Sequence, residues 1–128
     1  MSEVVRALRD ALRGRPEVRL AVLFGSFARG TADARSDVDI AVSAPAVDVF
    51  SLARDLSEAC GREVDVVTLD DPGVPLLSAL VRDGVPIHEG RRGAYAEWRS
   101  RALSTLEIDL PWYHRMRDAW LSRVAGGR

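Results

Sequence analysis

The sequence predicts an α/β or α+β fold, in which helices pack on a small β-sheet. Short apolar runs alternate along the chain with longer segments whose apolar residues recur at helical spacing. Glycine or proline separates most of these segments, as is usual between the elements of strand-and-helix folds. The 128 residues are enough for one hydrophobic core but not for two, so a single domain spanning 1–128 is expected.

The first half of the chain predicts two full helices, a short helix and two strands. Apolar residues recur at helical spacing over 2–13 and 47–60. The runs 18–24 and 38–42 are mostly apolar, which is typical of strands buried on both faces. A glycine and a serine end the first of these runs, and we expect a short helix over 25–29 between the two strands.

The second half of the chain predicts two strands and three helices. The strands are expected at 64–69 and 85–88, and the helices at 74–82, 94–106 and 111–124. Pro111 is the reason for separating the last two helices. Proline lacks a backbone N–H and its ring clashes with the preceding helical turn, so it usually breaks or kinks a helix.

The composition excludes several kinds of chemistry. All 18 basic residues are arginine, which removes both a lysine Schiff base and the lysine of a P-loop. The formal net charge of −1 creates no global basic field, so strong direct binding of nucleic acid is not expected.

The single cysteine, Cys60, cannot form an internal disulfide, which favours a reduced, cytoplasmic setting. No apolar run follows a basic N-terminus, so a signal peptide is not expected. No stretch approaches the about 18 apolar residues that a membrane span needs, so no contact with a membrane is expected either.

Three aspartates predict a site for a divalent cation. Asp37 and Asp39 are two residues apart at the start of a predicted strand, so their carboxylates point to the same side and repel each other. Asp65 lies among valines in the next predicted strand, where an unpaired charge would be costly. Mg²⁺ is usually held by a few carboxylates and by substrate phosphates, and it would relieve both problems.

A second feature, directly after the first strand, predicts a phosphate-binding loop. Gly25 allows a sharp turn and a close approach of the backbone to a ligand. Ser26 offers a hydroxyl and an amide at the start of the next helix, where phosphate oxygens bind well. Arg29 lies one turn further on and is within reach of the same anion. Phosphate binding combined with three carboxylates is the equipment for metal-assisted displacement at phosphorus.

Each of these features has a simpler interpretation when it is taken alone. A Gly-Ser pair after a strand is most often a turn, and an Asp-x-Asp pair is most often a solvated loop end. Asp65 could instead be bonded to backbone amides or to an arginine, and Glu63 on the same face is either a further ligand or an exposed strand start. The combination, in this order and on these elements, favours the catalytic interpretation.

The same residues resemble a known superfamily. The stretch Leu-Phe-Gly-Ser-Phe-Ala-Arg-Gly at 23–30, followed by Ser-Asp-Val-Asp-Ile at 36–40, resembles the signature of the nucleotidyltransferases typified by DNA polymerase β. The Arg-Gly and the serine before the aspartates are similar to the minimal nucleotidyltransferase group. Glu-Val-Asp-Val-Val at 63–67 sits where that group carries its third carboxylate. The resemblance covers about 1–90, which leaves a C-terminal helical extension of about 91–125.

The resemblance implies a fold and a set of roles for the site residues. The fold would be a mixed sheet with helices on one side. Two Mg²⁺ ions would lie between Asp37, Asp39 and Asp65, with ATP as the substrate and pyrophosphate as the product. The first two aspartates would hold the metal of the triphosphate, and all three would hold the metal of the attacking hydroxyl, whose proton Asp65 would take. Gly25 and Ser26 would hold the β- and γ-phosphates.

The resemblance also implies a partner. Minimal members of the superfamily act as antitoxins beside HEPN-domain ribonucleases and place AMP on a tyrosine of the toxin. Two alternatives stay open: a small-molecule nucleotidyltransferase of the aminoglycoside-modifying kind, which would need a further substrate-binding unit, and an antitoxin that only binds. The sequence does not give the acceptor, the base preference or the oligomeric state.

The predicted last helix carries an aromatic stripe. Trp112, Met116 and Trp120 recur every fourth residue, after the catalytic unit is complete. One interpretation is a helix packed on its own domain. The other is a docking surface for a partner or for a second copy in a homo-oligomer, because Trp, Met and Arg are favoured at interfaces. The second interpretation predicts that this face is only partly covered.

Overall fold

The computed structural model describes residues 2–126, so residues 1, 127 and 128 of the predicted domain lie outside the described part of the chain. Five helices alternate with four strands, in the predicted order up to β4. The helices are α1 Glu3–Arg13, α2 Gly25–Arg29, α3 Val49–Cys60, α4 Val74–Asp83 and α5 Ala94–Gly126. The strands are β1 Leu20–Phe24, β2 Val38–Ser43, β3 Val64–Thr68 and β4 Val85–Glu89.

The four strands form one mixed sheet in the order β3-β2-β1-β4. β1 runs antiparallel to both β2 and β4, and β2 runs parallel to β3. The mixed sheet with helices packed on it confirms the predicted fold class. The two central strands, β1 and β2, contribute most of the fully buried strand residues, as their apolar runs predicted.

Helices cover both faces of the sheet, which corrects the expectation of helices on one side. Alternate residues of β1 point in opposite directions, so Ala21 and Leu23 pack with α1 and α3, whereas Leu20 and Val22 pack with α4 and α5. Because the central strands are apolar on both faces, each face needs a helical layer, and the first part of α5 completes the second one.

Side-chain caps and glycines set most of the helix ends. The Ser2 hydroxyl accepts from the amide of Val5 at the start of α1. Asp48 does the same for α3, accepting from the amide of Phe50, so this helix begins two residues later than predicted. Gly30 and Gly61 end α2 and α3 in the left-handed conformation, with φ of 77° and 72°.

The C-terminal region is one helix, not the two that were predicted. α5 runs without interruption from Ala94 to Gly126, and Pro111 lies inside it. A proline removes one backbone hydrogen bond, here the bond to the carbonyl of Glu107, and the helix continues on both sides of it all the same.

No helix among residues 2–126 combines the length and the apolar composition that crossing a membrane would require.

Candidate active site

The three aspartates come together at the end of the sheet where β1 finishes and β2 and β3 begin. Asp39 pairs with Phe24 of β1 on one side and with Asp65 of β3 on the other. Directly paired residues point to the same face, so the two carboxylates lie side by side on adjacent strands. The predicted shared face is therefore confirmed for Asp39 and Asp65. It is the face covered elsewhere by α4 and α5, because Phe24 and Val67 pack into that core.

Asp37 precedes β2 by one residue and lies exposed beside this pair. Its charge reaches Asp39, whose pKa is raised above its ordinary value. The first cause is partial burial of the Asp39 carboxylate, and the negative charges of Asp65 and Asp37 raise the pKa further. Arg29 acts in the opposite direction and lowers it. The four residues thus form one electrostatic unit in which negative charge is in excess.

The place of Asp65 differs from the expectation drawn from its neighbours. Within its run of valines it was expected to be costly to bury, yet its side chain is exposed because β3 is an edge strand. The carboxylate that is partly buried is that of Asp39, in the central strand β2. A cation at this site would therefore relieve the repulsion of Asp39 by Asp65 and Asp37, and it is not needed to offset burial of Asp65.

Gly25 lies against the Asp39 carboxylate. Its φ is +71°, a conformation that side chains other than glycine rarely adopt. A Cβ built at this position would overlap Oδ2 of Asp39 and would lie 3.2 Å from its Cγ. The structure therefore shows a close approach between Gly25 and a carboxylate of the same chain. The approach of a phosphate to this glycine stays a prediction.

Ser26 and Arg29 belong to the five-residue helix α2, which begins at Gly25. Ser26 is half-buried in its first turn, and its carbonyl accepts from the amides of Gly30 and Thr31, which closes the helix. Arg29 is exposed and close enough to act on the charge of Asp39. All three residues predicted for the phosphate loop therefore lie on the element next to the aspartates. Their role in binding phosphate stays a prediction.

Sequence reasoning missed Arg62. Its Nη1 donates to the carbonyls of Asp33 and Ser36, both at 2.9 Å, in the loop that leads to Asp37. The same guanidinium lies over the ring of Phe27 in α2, 5.2 Å from its centre. Arg62 thus joins the aspartate loop, the phosphate loop and the strand of Asp65. The hydrogen bonds span up to 29 residues of sequence and the contact with Phe27 spans more, so no local pattern could have revealed them.

The loop itself is fixed by Asp33. Its Oδ1 accepts from the amide of Arg35 at 2.8 Å and from the Ser36 hydroxyl, and these bonds hold the pKa of this carboxyl below its ordinary value. Arg62 donates to two backbone carbonyls before Asp37, and Asp33 accepts from a backbone amide there. Hydrogen bonds therefore fix both the carbonyl and the amide groups of this loop. The position of Asp37 is therefore well defined although its side chain is exposed.

The donor set fits a hard divalent cation, although the side chains are not arranged as ligands. Within residues 2–126, no three His, Cys, Asp or Glu side chains stand close enough together to hold a metal ion. The three carboxylates offer oxygen ligands, and their repulsion at Asp39 is what a cation would relieve. Binding would require them to turn toward a common point.

Comparison with known proteins gives a consistent picture. The polymerase β nucleotidyltransferase family model matches residues 6–92, which include every candidate site residue. The protein adenylyltransferase MntA of Shewanella oneidensis is 34% identical over 87 residues. That match covers 65% of this chain but only 60% of the relative's length.

Solved structures resemble the fold over almost its whole length. A crystal structure of a toxin–antitoxin with AMP-PNP contains a chain with a TM-score of 0.77 and 25% identity, covering 91% of this chain and 98% of that one. A complex of the tri-AMPylated Shewanella oneidensis HEPN toxin with its MNT antitoxin gives a TM-score of 0.66 at 24% identity, covering 93% of each chain. The second likeness supports the fold alone.

Proposed function

Since the chain belongs to the polymerase β nucleotidyltransferase family, we propose that it is a magnesium-dependent adenylyltransferase that moves AMP from ATP to a tyrosine hydroxyl of a HEPN-type toxin. It would act as the antitoxin of that toxin, with both proteins in the cytoplasm. The observation that carries the proposal is the pairing of Asp39 with Asp65 on adjacent strands, with Gly25 against the first of them.

The carboxylates are the residues proposed to bind the metal, because Mg²⁺ prefers oxygen ligands. Asp37, Asp39 and Asp65 would hold two Mg²⁺ ions, which would neutralise charge on the triphosphate and make the acceptor hydroxyl more acidic. Without a cation, the negative charge at this end of the sheet would repel ATP. Partial burial is the first cause of the raised pKa of Asp39, and the negative charges of Asp65 and Asp37 add to it.

The chain's own residues would position the nucleotide and take the proton. Gly25 and Ser26 would hold the β- and γ-phosphates, and Arg29 would add positive charge beside them. The acceptor oxygen would form a bond to the α-phosphorus while the bond from that phosphorus to the bridging oxygen breaks. Pyrophosphate would then leave, and the carboxylate of Asp65 would accept the hydroxyl proton. The exposure of Asp65 suits this role, because an acceptor on another protein must reach it.

The choice of acceptor rests on the named relatives. MntA is a protein adenylyltransferase, and the structurally similar chains come from toxin–antitoxin complexes, one of them with an AMPylated HEPN toxin. The site on this chain lies on an open end of the sheet and is built from exposed and half-exposed residues. Such a site suits a protein acceptor better than a small molecule that must be enclosed.

The test is the intact mass of a candidate HEPN-type partner protein, after incubation with this protein, ATP and Mg²⁺. We expect its mass to rise by one or more AMP groups, and we expect no change with a chelator or with Asp65→Asn. Glu58→Gln, an exposed carboxylate on α3, is the control and should act like the wild type. An unmodified toxin that is nevertheless neutralised would favour the antitoxin that only binds. AMP on an aminoglycoside instead would favour the small-molecule enzyme.

A further inference from the structure

The outer half of α5 extends beyond the body of the protein with an uncovered apolar side. Trp98, Ala102 and Leu106 anchor the inner half in the second core. From residue 107 to 126 no side chain is buried, over a helix length of about 30 Å. Trp112, Met116 and Trp120 are 57%, 49% and 54% exposed, which confirms the expected partial covering of this face.

The exposed side continues the side of α5 that packs on its own sheet. Positions spaced alternately by four and three residues lie along one line of a helix, which we call the seam. The seam consists of Trp98, Ala102, Thr105, Asp109, Trp112, Met116, Ala119 and Arg123. Its first two members are buried against the domain, whereas the members from Asp109 outward are exposed. A heptad seam of which only the first two members are covered by the domain leaves room for a helical partner along the rest.

The outer seam is complementary to itself when a second helix runs in the opposite direction. A two-fold axis at Met116 would place Asp109 opposite Arg123 of the second copy, because the two residues are seven positions on either side of the axis. The same axis would set the large Trp112 against the small Ala119, since they lie four positions before and three positions after the axis. Asp109 then meets a base and Trp112 meets a small side chain, while Met116 on the axis meets Met116 of the second copy.

We propose that the outer half of α5 is the interface of a homodimer, formed by an antiparallel pair of α5 helices about Met116. The dimer forms whether or not the chain transfers AMP, so this inference goes beyond the proposed function. Arg115 and Arg117 lie on the exposed flanks of the pair, where solvent and salt screen their mutual repulsion. Trp120, beside the seam, packs near Tyr113 of the second copy.

A cavity at the base of the outer seam fits the end of the second helix. It has a volume of about 380 Å³, and its lining includes Asp109 together with Asp70 and Asp71 from the turn before α4. Arg101 also lines it. In the antiparallel arrangement, Arg123 of the second copy lies next to Asp109, at the edge of this cavity. The three acidic side chains exceed the one basic side chain, so an incoming arginine meets a favourable field.

The test is sedimentation analysis of the full chain over a micromolar concentration series. The wild type should be a dimer in reversible equilibrium. Asp109→Arg should weaken self-association by about tenfold or more, because each of its two seam pairs then sets one arginine against another. Arg123→Asp should do the same by setting one aspartate against another. Both sites are exposed, so the thermal unfolding midpoints should stay near the wild-type value.

A mixture of the two single variants tests whether charge causes the loss of the dimer. In an antiparallel mixed dimer, the basic side chains of the Asp109→Arg copy meet the acidic side chains of the Arg123→Asp copy at both ends of the seam. A parallel pair would set position 109 against 109 and position 123 against 123, which are like charges already in the wild type. The loss of the dimer in each single variant therefore identifies the antiparallel arrangement, and recovery in the mixture shows that the loss is caused by charge.

Three results would overturn the proposal. One is a wild type that stays monomeric over the whole series, another is a dimer that both variants leave intact, and the third is a mixture that stays monomeric. If Trp112→Ala then abolished binding of the HEPN-type protein to a monomeric chain, the seam would belong to that partner instead.

Discussion

At the scale of single residues, the candidate site depends on how closely Gly25 and Asp39 approach each other. The carboxylate occupies the space that a side chain at position 25 would need, and the backbone of Gly25 turns at a φ of +71°. The glycine therefore does more than turn the chain. It leaves room for the most perturbed carboxylate of the cluster to lie beside the start of α2.

Gly25→Ala and Gly30→Ala form a matched pair that tests this role. Both glycines have a positive φ, +71° and +77°, so each substitution should destabilise the fold by a similar amount, about 1–2 kcal/mol. A Cβ at Gly30 meets nothing within 4 Å, whereas a Cβ at Gly25 must displace the Asp39 carboxylate. Calorimetry should show a loss of Mg-ATP affinity in Gly25→Ala alone. Equal affinities in the two folded variants would show that the position of Asp39 does not matter.

The raised pKa of Asp39 predicts how stability depends on pH. A carboxyl whose pKa is raised by folding favours the protonated form in the folded state, so its ionisation destabilises the fold as the pH rises through the folded-state pKa. In the absence of metal, Asp39→Asn should therefore unfold at a higher temperature than the wild type at neutral pH. The difference should shrink as the pH falls toward the ordinary value of 3.8. Glu58→Gln serves as the control for a lost surface charge, and an equal gain in that variant would contradict the argument.

Arg62 is expected to be a positioning residue, because it contacts the backbone before Asp37 and the ring of Phe27. Arg62→Ala should lower AMP transfer by about ten- to a hundredfold, since a misplacement of about 1 Å can cost about a hundredfold. Arg62→Lys should recover only part of the rate, because an ammonium group can donate to the carbonyls but lacks the planar guanidinium that lies over the Phe27 ring. Arg54 is an exposed arginine on α3, and Arg54→Ala should leave the rate of AMP transfer unchanged. A fall in the unfolding temperature with an unchanged transfer rate would leave Arg62 with a purely structural role.

At the scale of elements, the local sequence pattern predicted the features that depend on short-range interactions, namely where the helices and strands begin and end. Apolar periodicity, caps and glycines placed every strand and the first four helices within about two residues, because these signals act over a few positions. The exposure of Asp65 depends on β3 being an edge strand, and the second helical layer depends on which strands are central. Both are properties of the assembled sheet, so they were outside the reach of a pattern in the sequence.

The long helix α5 shows a competition between a local signal and its surroundings. Pro111 is unfavourable by about 3 kcal/mol relative to alanine inside a helix, yet the helix continues through it. Pro111→Ala should therefore slow amide hydrogen exchange over 112–126, as the missing bond to Glu107 is restored. The midpoint of global unfolding should change little, because the last buried residue of α5 is Leu106. Unchanged exchange beyond residue 111 would mean that the outer half is already fixed by other contacts.

At the scale of the whole molecule, the fold separates two functions on two surfaces. The aspartates lie at the end of the sheet where β1 finishes, whereas α5 starts after β4, whose end pairs with the beginning of β1. The candidate chemistry is therefore built by the sheet and α2, and the candidate interface is built by the outer half of α5. Substitutions such as Asp109→Arg should alter self-association, while Asp65→Asn should alter only AMP transfer.

The sequence indicated the residues of the candidate site better than it indicated their setting. Asp37, Asp39 and Gly25 are close together in the chain, so the motif itself suggested a common site. The alignment of Asp65 with Asp39 required a parallel neighbour for β2, which only the resemblance implied. Arg62 was missed because its partners are loop carbonyls, which carry no sequence signature.

The most direct test of the central claim is to follow two labels of ATP with the purified protein, Mg²⁺ and a candidate HEPN-type partner protein. ATP labelled on the α-phosphate should transfer its label to a tyrosine of the toxin, and ATP labelled on the γ-phosphate should release its label as pyrophosphate. Asp39→Asn should abolish the α-label on the toxin. A toxin that carries the γ-label would identify a kinase, and a toxin that carries neither label while the Asp39→Asn variant still neutralises it would contradict catalysis by the three aspartates.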